Sequence, residues 1–320
     1  MLDTRSADFW VFSSQLPAEA VVGHRVYNLT RSPSFRTIPG ATFEINYFDG
    51  THASGNVGSD TVDAEGATVI QQAVQLATTL SSNLTKDTAT NGILCLGFSE
   101  ASSVKPTKPK TFFENIMPTF TEPLFTADPD NDIVGVYEFG RIDSTKFTGS
   151  LSWIPINKAS GHWHFTTAGF AVDKGMKEWK KVAAVQAVAD TGTTLMLVSK
   201  PQGSSTGILE PGSRRSNHRR RNRFSMQHPS PRPAYRCGRR LHSKSPRTGY
   251  QYGKVHRGLY VSSRNSSPSH SRSKLTKVTT VCYGGIQGTT SGLLVWGDVF
   301  FRSQFVVFHG NHSLGVAPKH

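Results

Sequence analysis

Two short runs of the chain place an aspartate in the same local sequence. The first is Leu2-Asp3-Thr4-Arg5-Ser6, and the second is Ala189-Asp190-Thr191-Gly192-Thr193. In each run the aspartate follows apolar residues and precedes hydroxyl residues, which predicts a strand that ends in a tight turn and fixes a carboxyl group. Because the runs lie in separate halves of the chain, they predict two carboxylates related by a pseudo-two-fold axis.

Such a pair of carboxylates has a defined chemistry. Two carboxyl groups a few ångströms apart cannot both ionise, so one stays protonated while the other is charged. The pair can then act as acid and base on a single water molecule. The alternative for each aspartate is an ordinary turn or helix-capping role.

Further motifs occur along the chain in a recognisable order. They are Ile45–Thr51, Lys110–Asn115, Pro123–Thr126, Tyr137–Asp143, Cys282–Gln287 and Trp296–Phe308. Together with the two aspartate runs, they resemble the pepsin-like aspartic endopeptidases, particularly the secreted fungal members. The resemblance covers roughly residues 1–200 and 280–320.

The resemblance implies a mainly all-β, bilobal pepsin-like acid protease fold with a cleft between two β-lobes. The sequence itself is rich in β-branched and aromatic runs with Gly and Pro between them, and Gln71–Leu80 is the one apolar segment that we expect to be helical. We expect an N-terminal lobe over 1–143 that lacks its first strands, and a C-terminal lobe over 144–202 and 280–320. No apolar run is long enough to span a membrane.

By resemblance, Asp3 and Asp190 are the catalytic pair. The side chains of Thr4 and Thr191 are expected to cross the axis and bond the backbone of the opposing loop. Ser6 and Thr193 are expected to bond the outer carboxylate oxygens, while Gly192 lets the backbone approach closely. Their alternative role is that of ordinary turn residues.

A second group of residues resembles the flap, a hairpin that covers the cleft and excludes water. The flap and substrate-binding residues implied by the resemblance are Tyr47, Asp49, Gly50, Thr51 and Trp10. Trp10 is expected to hydrogen-bond Tyr47, the alternative being simple core packing. The Asp49-Gly50 pair would equally suit a hairpin turn.

The basic charge of the chain is confined to one segment. Residues 203–279 carry 18 of the 36 Lys and Arg residues but only one of the 22 Asp and Glu residues. This segment is rich in Pro, Ser and Arg and poor in apolar residues, which predicts disorder. Three explanations stay open: a misread frame or retained intron, a genuine insertion, or a basic arm that binds nucleic acid through interleaved tyrosines.

Four features depart from the family pattern. Arg5 replaces the glycine of the first Asp-Thr-Gly, where a side chain meets backbone restriction and a guanidinium beside Asp3 would favour its charged form. Cys95 and Phe48 stand where the family has glycines. The resemblance also implies a secretory signal, a propeptide and a strand ahead of Asp3, so we expect that aspartate to be poorly anchored.

These departures predict that proteolytic activity is severely impaired or absent. The function predicted from the sequence is therefore that of an aspartic endopeptidase by family. One alternative is a catalytically inactive pepsin-like binding protein, and another is a basic nucleic-acid-binding segment on a degenerate protease.

The expected partners are protein or peptide substrates. We expect no cofactor and no metal, because the twelve histidines lack metal-ligand spacing and no nucleophile elbow or phosphate-binding loop is present. We also expect no specific nucleic acid, no membrane association and a monomer. The resemblance implies an extracellular location, or alternatively a vacuolar one.

Four glycosylation sequons are compatible with an extracellular location, at Asn28, Asn83, Asn265 and Asn311. The three cysteines are Cys95, Cys237 and Cys282. The resemblance implies a disulfide at Cys282, and its partner stays open because Cys237 lies farther upstream than the family spacing.

Overall fold

A computed structural model describes residues 1–64, 66–129, 135–167, 171–172, 185–199, 224–225, 252–255, 258–261, 282–283, 286–289 and 292–320. The first part of the chain forms a six-stranded mixed sheet. Its strands are β1 (Leu2–Asp3), β2 (Trp10–Phe12), β3 (Arg36–Asn46), β4 (His52–Ala64), β5 (Ala67–Leu80) and β6 (Gly92–Cys95). They lie in the order β1-β6-β2-β5-β4-β3.

Strand β5 corrects the sequence prediction for Gln71–Leu80, which is extended rather than helical. β5 lies between β2 and β4, to which it is paired on its two edges. Its stretch from Gln72 to Ala77 is buried without a break. A strand covered on both faces loses the polar–apolar alternation of a half-buried strand, so its sequence pattern is hard to tell from that of a helix.

The rest of the chain forms the remaining strands. They are β7 (Leu124–Pro129), β8 (Gly135–Phe139), β9 (Ser152–Asn157), β10 (His164–Thr167), β11 (Ala171–Val172), β12 (Val185–Ala189), β13 (Met196–Ser199), β14 (Phe224–Ser225), β15 (Tyr252–Val255), β16 (Gly258–Val261), β17 (Cys282–Tyr283), β18 (Ile286–Thr289), β19 (Leu294–Trp296), β20 (Gln304–His309) and β21 (Ser313–Pro318). Ten of them form a second mixed sheet in the order β18-β13-β19-β12-β10-β9-β21-β20-β7-β8. The mainly β architecture predicted from the sequence is confirmed.

Helices are short. The α-helices are α1 (Ser82–Lys86), α2 (Phe112–Ile116) and α3 (Asp298–Phe301), and the 3-10 helices are Ala18–Val21, Leu29–Arg31, Ser99–Ala101, Met117–Thr119 and Ser144–Lys146. Helix α2 begins with a capping box in which Thr111 and Glu114 satisfy each other's backbone N–H groups. No helix in the described part of the chain has the length and apolar content needed to cross a membrane.

The predicted lobe boundary at residue 143 falls after two strands of the second sheet. Strands β7 and β8 pair with each other, and β7 pairs with β20 from the end of the chain. The segment 203–279, predicted to be disordered, lies outside the described residues except for the short strands β14, β15 and β16. The predicted domain division therefore stays a prediction.

The two largest of the three buried clusters in the described residues support the sheets. The first-sheet cluster includes Trp10, Phe12 and Phe43. A larger cluster joins residues of α2 to the second sheet, with Trp163 and Trp296 fully or almost fully buried within it. Large aromatic side chains account for much of the apolar surface removed from water, so the sheets that carry the two aspartate loops rest on rigid support.

The start of the chain is anchored, contrary to our expectation. Strand β1 pairs in parallel with β6, with Asp3 opposite Cys95. The Met1 amine donates a hydrogen bond to the Gly92 carbonyl (3.2 Å), and the Leu94 N–H donates to the Met1 carbonyl (2.9 Å). Pairing with an interior strand supplies the backbone partners that a free chain end lacks.

Candidate active site

The first aspartate loop leaves the end of β1. Asp3 is almost completely buried. Its Oδ1 accepts a hydrogen bond from the Arg5 N–H (2.8 Å), and its Oδ2 accepts one from the Ser6 hydroxyl. Both carboxylate oxygens are therefore oriented by the turn that follows the strand.

The second aspartate loop repeats this arrangement at the end of β12. Asp190 is also almost completely buried. Its Oδ1 accepts a hydrogen bond from the Gly192 N–H (2.9 Å), and its Oδ2 accepts one from the Thr193 hydroxyl (2.6 Å). Strand β12 pairs in parallel with β19, as β1 does with β6. The two loops are thus equivalent, and Arg5 occupies the position of Gly192.

Two threonines join the loops. The Thr4 hydroxyl donates to the Ala189 carbonyl (2.8 Å) and accepts from the Thr191 N–H (3.0 Å). The Thr191 hydroxyl accepts from the Thr4 N–H (3.2 Å) and donates to the Leu2 carbonyl (3.2 Å). This reciprocal set of bonds between the threonines and the opposing backbone is the arrangement that the sequence led us to expect. It fixes one aspartate loop relative to the other.

Gly192 shows how close the two carboxyl groups are. A Cβ atom at this position would lie 2.7 Å from Asp3 Cγ and 3.2 Å from Asp190 Oδ1. One methyl-sized volume beside the loop thus touches both carboxyl groups. Any residue with a side chain would have to displace Asp3, so this position requires glycine for a close approach rather than for a positive φ.

The electrostatics of the pair favour one shared proton. Burial, followed by the neighbouring charge of Asp3, raises the pKa of Asp190 to about 6, while the Thr193 hydroxyl, Arg5 and the Gly192 N–H act in the opposite direction. Desolvation and like-charge repulsion outweigh these three stabilising contacts. The Asp190 carboxyl group therefore binds a proton more readily than an isolated aspartate does, chiefly because it is buried beside another carboxyl group.

The Arg5 guanidinium contacts Asp190, whereas the sequence suggested that it would lie beside Asp3. Its Nη1 lies 3.7 Å from Asp190 Oδ2, whereas towards Asp3 it contributes a backbone N–H. Its backbone is also unstrained, because the non-glycine residues with positive φ in the described part of the chain are Gln71 and His312. The expected backbone restriction at Arg5 is therefore wrong.

The predicted flap is the hairpin formed by β3 and β4. Trp10 Nε1 donates a hydrogen bond to the Tyr47 hydroxyl (2.7 Å), so the expected contact between these side chains is present. Trp10 is fully buried as well. Both the packing role and the hydrogen-bonding role that were considered for Trp10 are therefore met by one side chain.

Asp49, Gly50 and Thr51 build the turn of this hairpin. Asp49 Oδ1 accepts from the Thr51 N–H (2.9 Å) and the Thr51 hydroxyl (2.7 Å), and Gly50 has a φ of 82°. The Gly50 N–H donates to the Tyr47 carbonyl (3.0 Å). These contacts give the three residues a structural turn role, and their role towards substrate stays a prediction.

Cys95 lies opposite Asp3 on the neighbouring strand β6. It is a free, buried thiol whose Sγ lies 2.9 Å from the Ser6 hydroxyl. Burial and the charge of Asp3 raise its pKa, so the thiol stays neutral. At the equivalent position of the second sheet, a Cβ on Gly297 would collide with the Thr193 and Leu195 carbonyl oxygens. The first loop thus has room for a side chain where the second has none.

Sequence reasoning missed two residues next to the aspartate loops. The Tyr137 side chain hydrogen-bonds Thr191, and burial raises the pKa of its phenol to about 12. Asp8 is fully buried and accepts hydrogen bonds from Gln75 and Ser102. The proximity of Asp8 to Asp3 in sequence was the available signal for Asp8. Tyr137 was noted only as the first residue of the Tyr137–Asp143 motif, which gave it no role in the site.

Two mixed β-sheets that each contribute an aspartate loop to one hydrogen-bonded pair define an acid-protease architecture. The model of the eukaryotic aspartyl protease family matches residues 1–319, and the chain belongs to this family. The resemblance seen in the sequence is thereby confirmed.

Curated relatives from fungi agree with this assignment. The chain is 37% identical over 320 residues to a putative aspergillopepsin A-like aspartic endopeptidase of Aspergillus fumigatus, covering 99% of this chain and 71% of the relative. It is 34% identical to endothiapepsin of Cryphonectria parasitica, with the same coverage. It is 35% identical to penicillopepsin-3 of Penicillium janthinellum, covering 99% of this chain and 74% of that protein.

Proposed function

We propose that the chain is an acid endopeptidase that hydrolyses peptide bonds of protein substrates with a water molecule activated between Asp3 and Asp190. The observation that carries the proposal is the reciprocal bonding of Thr4 and Thr191, which fixes two buried carboxyl groups on opposite sides of one small volume. Catalysis of this kind depends on carboxyl placement to a fraction of an ångström. The eukaryotic aspartyl protease family and the name of the relative from Aspergillus fumigatus, a putative aspartic endopeptidase, support the same reaction class.

In the proposed reaction the charged Asp3 removes a proton from the water molecule, and the resulting hydroxide attacks the peptide carbonyl carbon. Asp190 donates its proton to the carbonyl oxygen, which gives a neutral tetrahedral diol. Asp3 then passes the proton that it took from water to the amide nitrogen as the C–N bond breaks, while the charged Asp190 removes a proton from one hydroxyl of the diol. An amine and a carboxylic acid leave, and the pair again holds a single proton. No covalent acyl-enzyme forms.

In the proposed reaction the flap closes over the two aspartates and excludes bulk water from them. The bond between Trp10 and Tyr47 holds the base of the hairpin, so that Tyr47 is positioned on the side of the first aspartate loop. A closed flap strengthens the electrostatic interactions around the pair, because it removes competing solvent. We further propose that the protein acts outside the cell, in keeping with its resemblance to secreted fungal members of the family.

A second candidate is a binding protein that holds peptides without cleaving them. The contact between Arg5 and Asp190 favours it, because a guanidinium 3.7 Å from a carboxylate stabilises the charged form at the expense of the shared proton. The two candidates differ in what happens when this residue is changed to glycine.

The test compares wild type, Arg5→Gly and the double variant Arg5→Gly/Asp190→Asn in a casein digestion assay at about pH 3 to 4. We expect Arg5→Gly to cleave more strongly than wild type, and a statine-type inhibitor to block it. The double variant should lose cleavage, because asparagine cannot share the proton. Binding of the inhibitor by Arg5→Gly without any cleavage would favour the binding-protein candidate and contradict the proposed reaction.

A further inference from the structure

Arg5 is in contact with two elements that belong to different parts of the site. Its Nη1 lies 3.7 Å from Asp190 Oδ2 in the second aspartate loop. Its Cζ lies 5.7 Å from the centre of the Phe48 ring at the tip of the flap. The guanidinium therefore lies between the flap and the pair, although its backbone belongs to the first aspartate loop.

The two contacts differ in environment. The Asp190 side chain is 3% exposed and that of Arg5 is 27% exposed, so solvent and salt screen this ion pair much less than a surface pair. Phe48 is 73% exposed, which leaves one face of a large apolar ring available to the cation. A guanidinium within about 6 Å of a ring centre is attracted by the negative face of the ring.

Arg5 and Phe48, two of the three residues that stand where the family has glycine, are therefore in contact with each other. In the structure the guanidinium makes its contacts with Phe48 and Asp190 at the same time. A loop that has glycine two residues after the aspartate has no side chain with which to make these contacts. The second aspartate loop, with Gly192, is an example.

We propose that Arg5 is a positioning residue that couples the flap to the catalytic pair: held by the Phe48 ring, its guanidinium favours the charged form of Asp190 and confines the single-proton state of the pair to more acidic solutions. This inference rests on the proposed function in that Asp3 and Asp190 are taken as the pair. It goes beyond that function by giving the flap control over the charge of the pair.

Other ionisable groups interact electrostatically with the pair or with Arg5. They are the Met1 amine, Tyr47, Cys95, Tyr137, His162 and His164. Burial raises the pKa of the two tyrosines and of the thiol, so these three stay neutral in acid. Burial, with Arg5 contributing, lowers the pKa of the two histidines, so they change charge in the acidic range. They are therefore the groups for which a test must control.

The test follows the carboxyl carbon resonance of Asp190 in full-length protein labelled with carbon-13 aspartate, as a function of pH. Arg5→Gln, which removes the charge, should raise the midpoint by about one pH unit. Phe48→Leu, which keeps an apolar side chain without a ring face, should raise it by a smaller amount. Arg25→Gln, which removes an exposed arginine elsewhere, is the charge-matched control and should leave the midpoint unchanged.

The coupling itself is measured by the double variant. In the Arg5→Gln background, Phe48→Leu should add no further shift, because the ring acts only through the guanidinium. The shift caused by Arg5→Gln should also persist in His162→Gln protein. An unchanged midpoint in Arg5→Gln, or equal shifts from Phe48→Leu with and without Arg5, would overturn the inference.

Activity gives a separate readout. If the proposed function holds, the alkaline limit of casein cleavage in Arg5→Gln should move upward together with the titration midpoint. If every variant is inactive while the midpoint shifts as described, the proposed function fails but the coupling is supported. Circular dichroism melts of each variant identify any that are unfolded, and Arg5→Lys, which keeps the charge, then serves as a folded substitute whose midpoint should stay close to that of wild type.

Discussion

At the scale of single residues, the two aspartate loops differ most in the size and charge of one side chain. The loop of Asp190 has glycine two residues after the aspartate, and the loop of Asp3 has arginine there. Both residues donate a backbone N–H to an aspartate Oδ1, at 2.8 and 2.9 Å. The two residues thus share the same backbone role. The side chain of Arg5 differs in adding a positive charge close to Asp190.

Gly192→Ala should impair catalysis strongly. The new methyl group would lie 2.7 Å from Asp3 Cγ, closer than carbon atoms approach one another, and the carboxyl group would have to move. Because a misplacement of about 1 Å can cost on the order of 100-fold in rate, we expect a loss of kcat/KM of at least about tenfold. The measurement is steady-state cleavage of a peptide substrate in acid.

Gly292→Ala is the matched control for this prediction. A Cβ at Gly292 meets nothing within 4 Å, and the residue is exposed. Its kcat/KM should equal that of wild type within error. Equal activity of Gly192→Ala and Gly292→Ala would show that the loop relaxes around the methyl group, and would contradict the close packing of the pair.

At the scale of elements, one side-chain hydrogen bond joins the end of the flap hairpin to strand β2 of the same sheet. Trp10 on β2 and Tyr47 at the end of β3 are joined by a 2.7 Å bond, and Tyr47 packs against the core cluster that contains Trp10. The tip beyond Tyr47 is held mainly by contacts within the turn. The hairpin base is therefore fixed while its tip is the part that can move.

Trp10→Phe should lower kcat/KM by removing the hydrogen bond that holds the flap hairpin at Tyr47. Phenylalanine keeps most of the buried apolar surface but removes the indole N–H, which leaves the Tyr47 hydroxyl without this donor. A lost neutral hydrogen bond is worth about 1 kcal/mol, so we expect kcat/KM to fall by roughly five- to tenfold. Tyr47→Phe removes the same bond and should give a comparable loss.

The double variant Trp10→Phe/Tyr47→Phe separates this bond from packing. If the bond is responsible, the double variant should be no worse than either single variant, because each change already removes it. Additive losses would instead indicate that the two side chains act independently, and that the bond does not position the flap.

At the scale of the whole molecule, local sequence predicted the site better than it predicted the strands around it. The paired aspartates were predicted from two short motifs, whereas their hydroxyl partners and the contact between Trp10 and Tyr47 were expected from the family resemblance. β5 was misjudged because one of its two neighbouring strands, β2, comes from the start of the chain, and no local pattern reports that pairing.

The direction of Arg5 could not be predicted for the same reason. A long side chain at the end of a turn can reach either carboxyl group, and which one it meets depends on how the two halves of the molecule approach each other. The anchoring of Met1 by Gly92 likewise comes from a strand that follows some ninety residues later. Contacts of this kind are decided by tertiary packing rather than by propensity.

The buried carboxyl group of Asp190 makes the stability of the molecule depend on pH. Its pKa is raised from 3.8 to about 6, chiefly by burial and by the charge of Asp3. Between these values the folded state binds more protons than the unfolded state, so the contribution of Asp190 to stability is fully present below about pH 4 and is lost as the pH rises through 6. The span of about 2 pH units corresponds to about 3 kcal/mol.

Asp190→Asn should remove this dependence. We expect the free energy of unfolding of wild type, measured relative to that of Asp190→Asn, to fall by about 2 to 3 kcal/mol between pH 4 and pH 7. Urea unfolding at a series of pH values, followed by tryptophan fluorescence, gives the difference directly and cancels the opposing contributions of the buried histidines. The exposed Glu19→Gln should leave the wild-type profile unchanged. A constant difference between wild type and Asp190→Asn across this range would mean that Asp190 is not the proton-holding member of the pair.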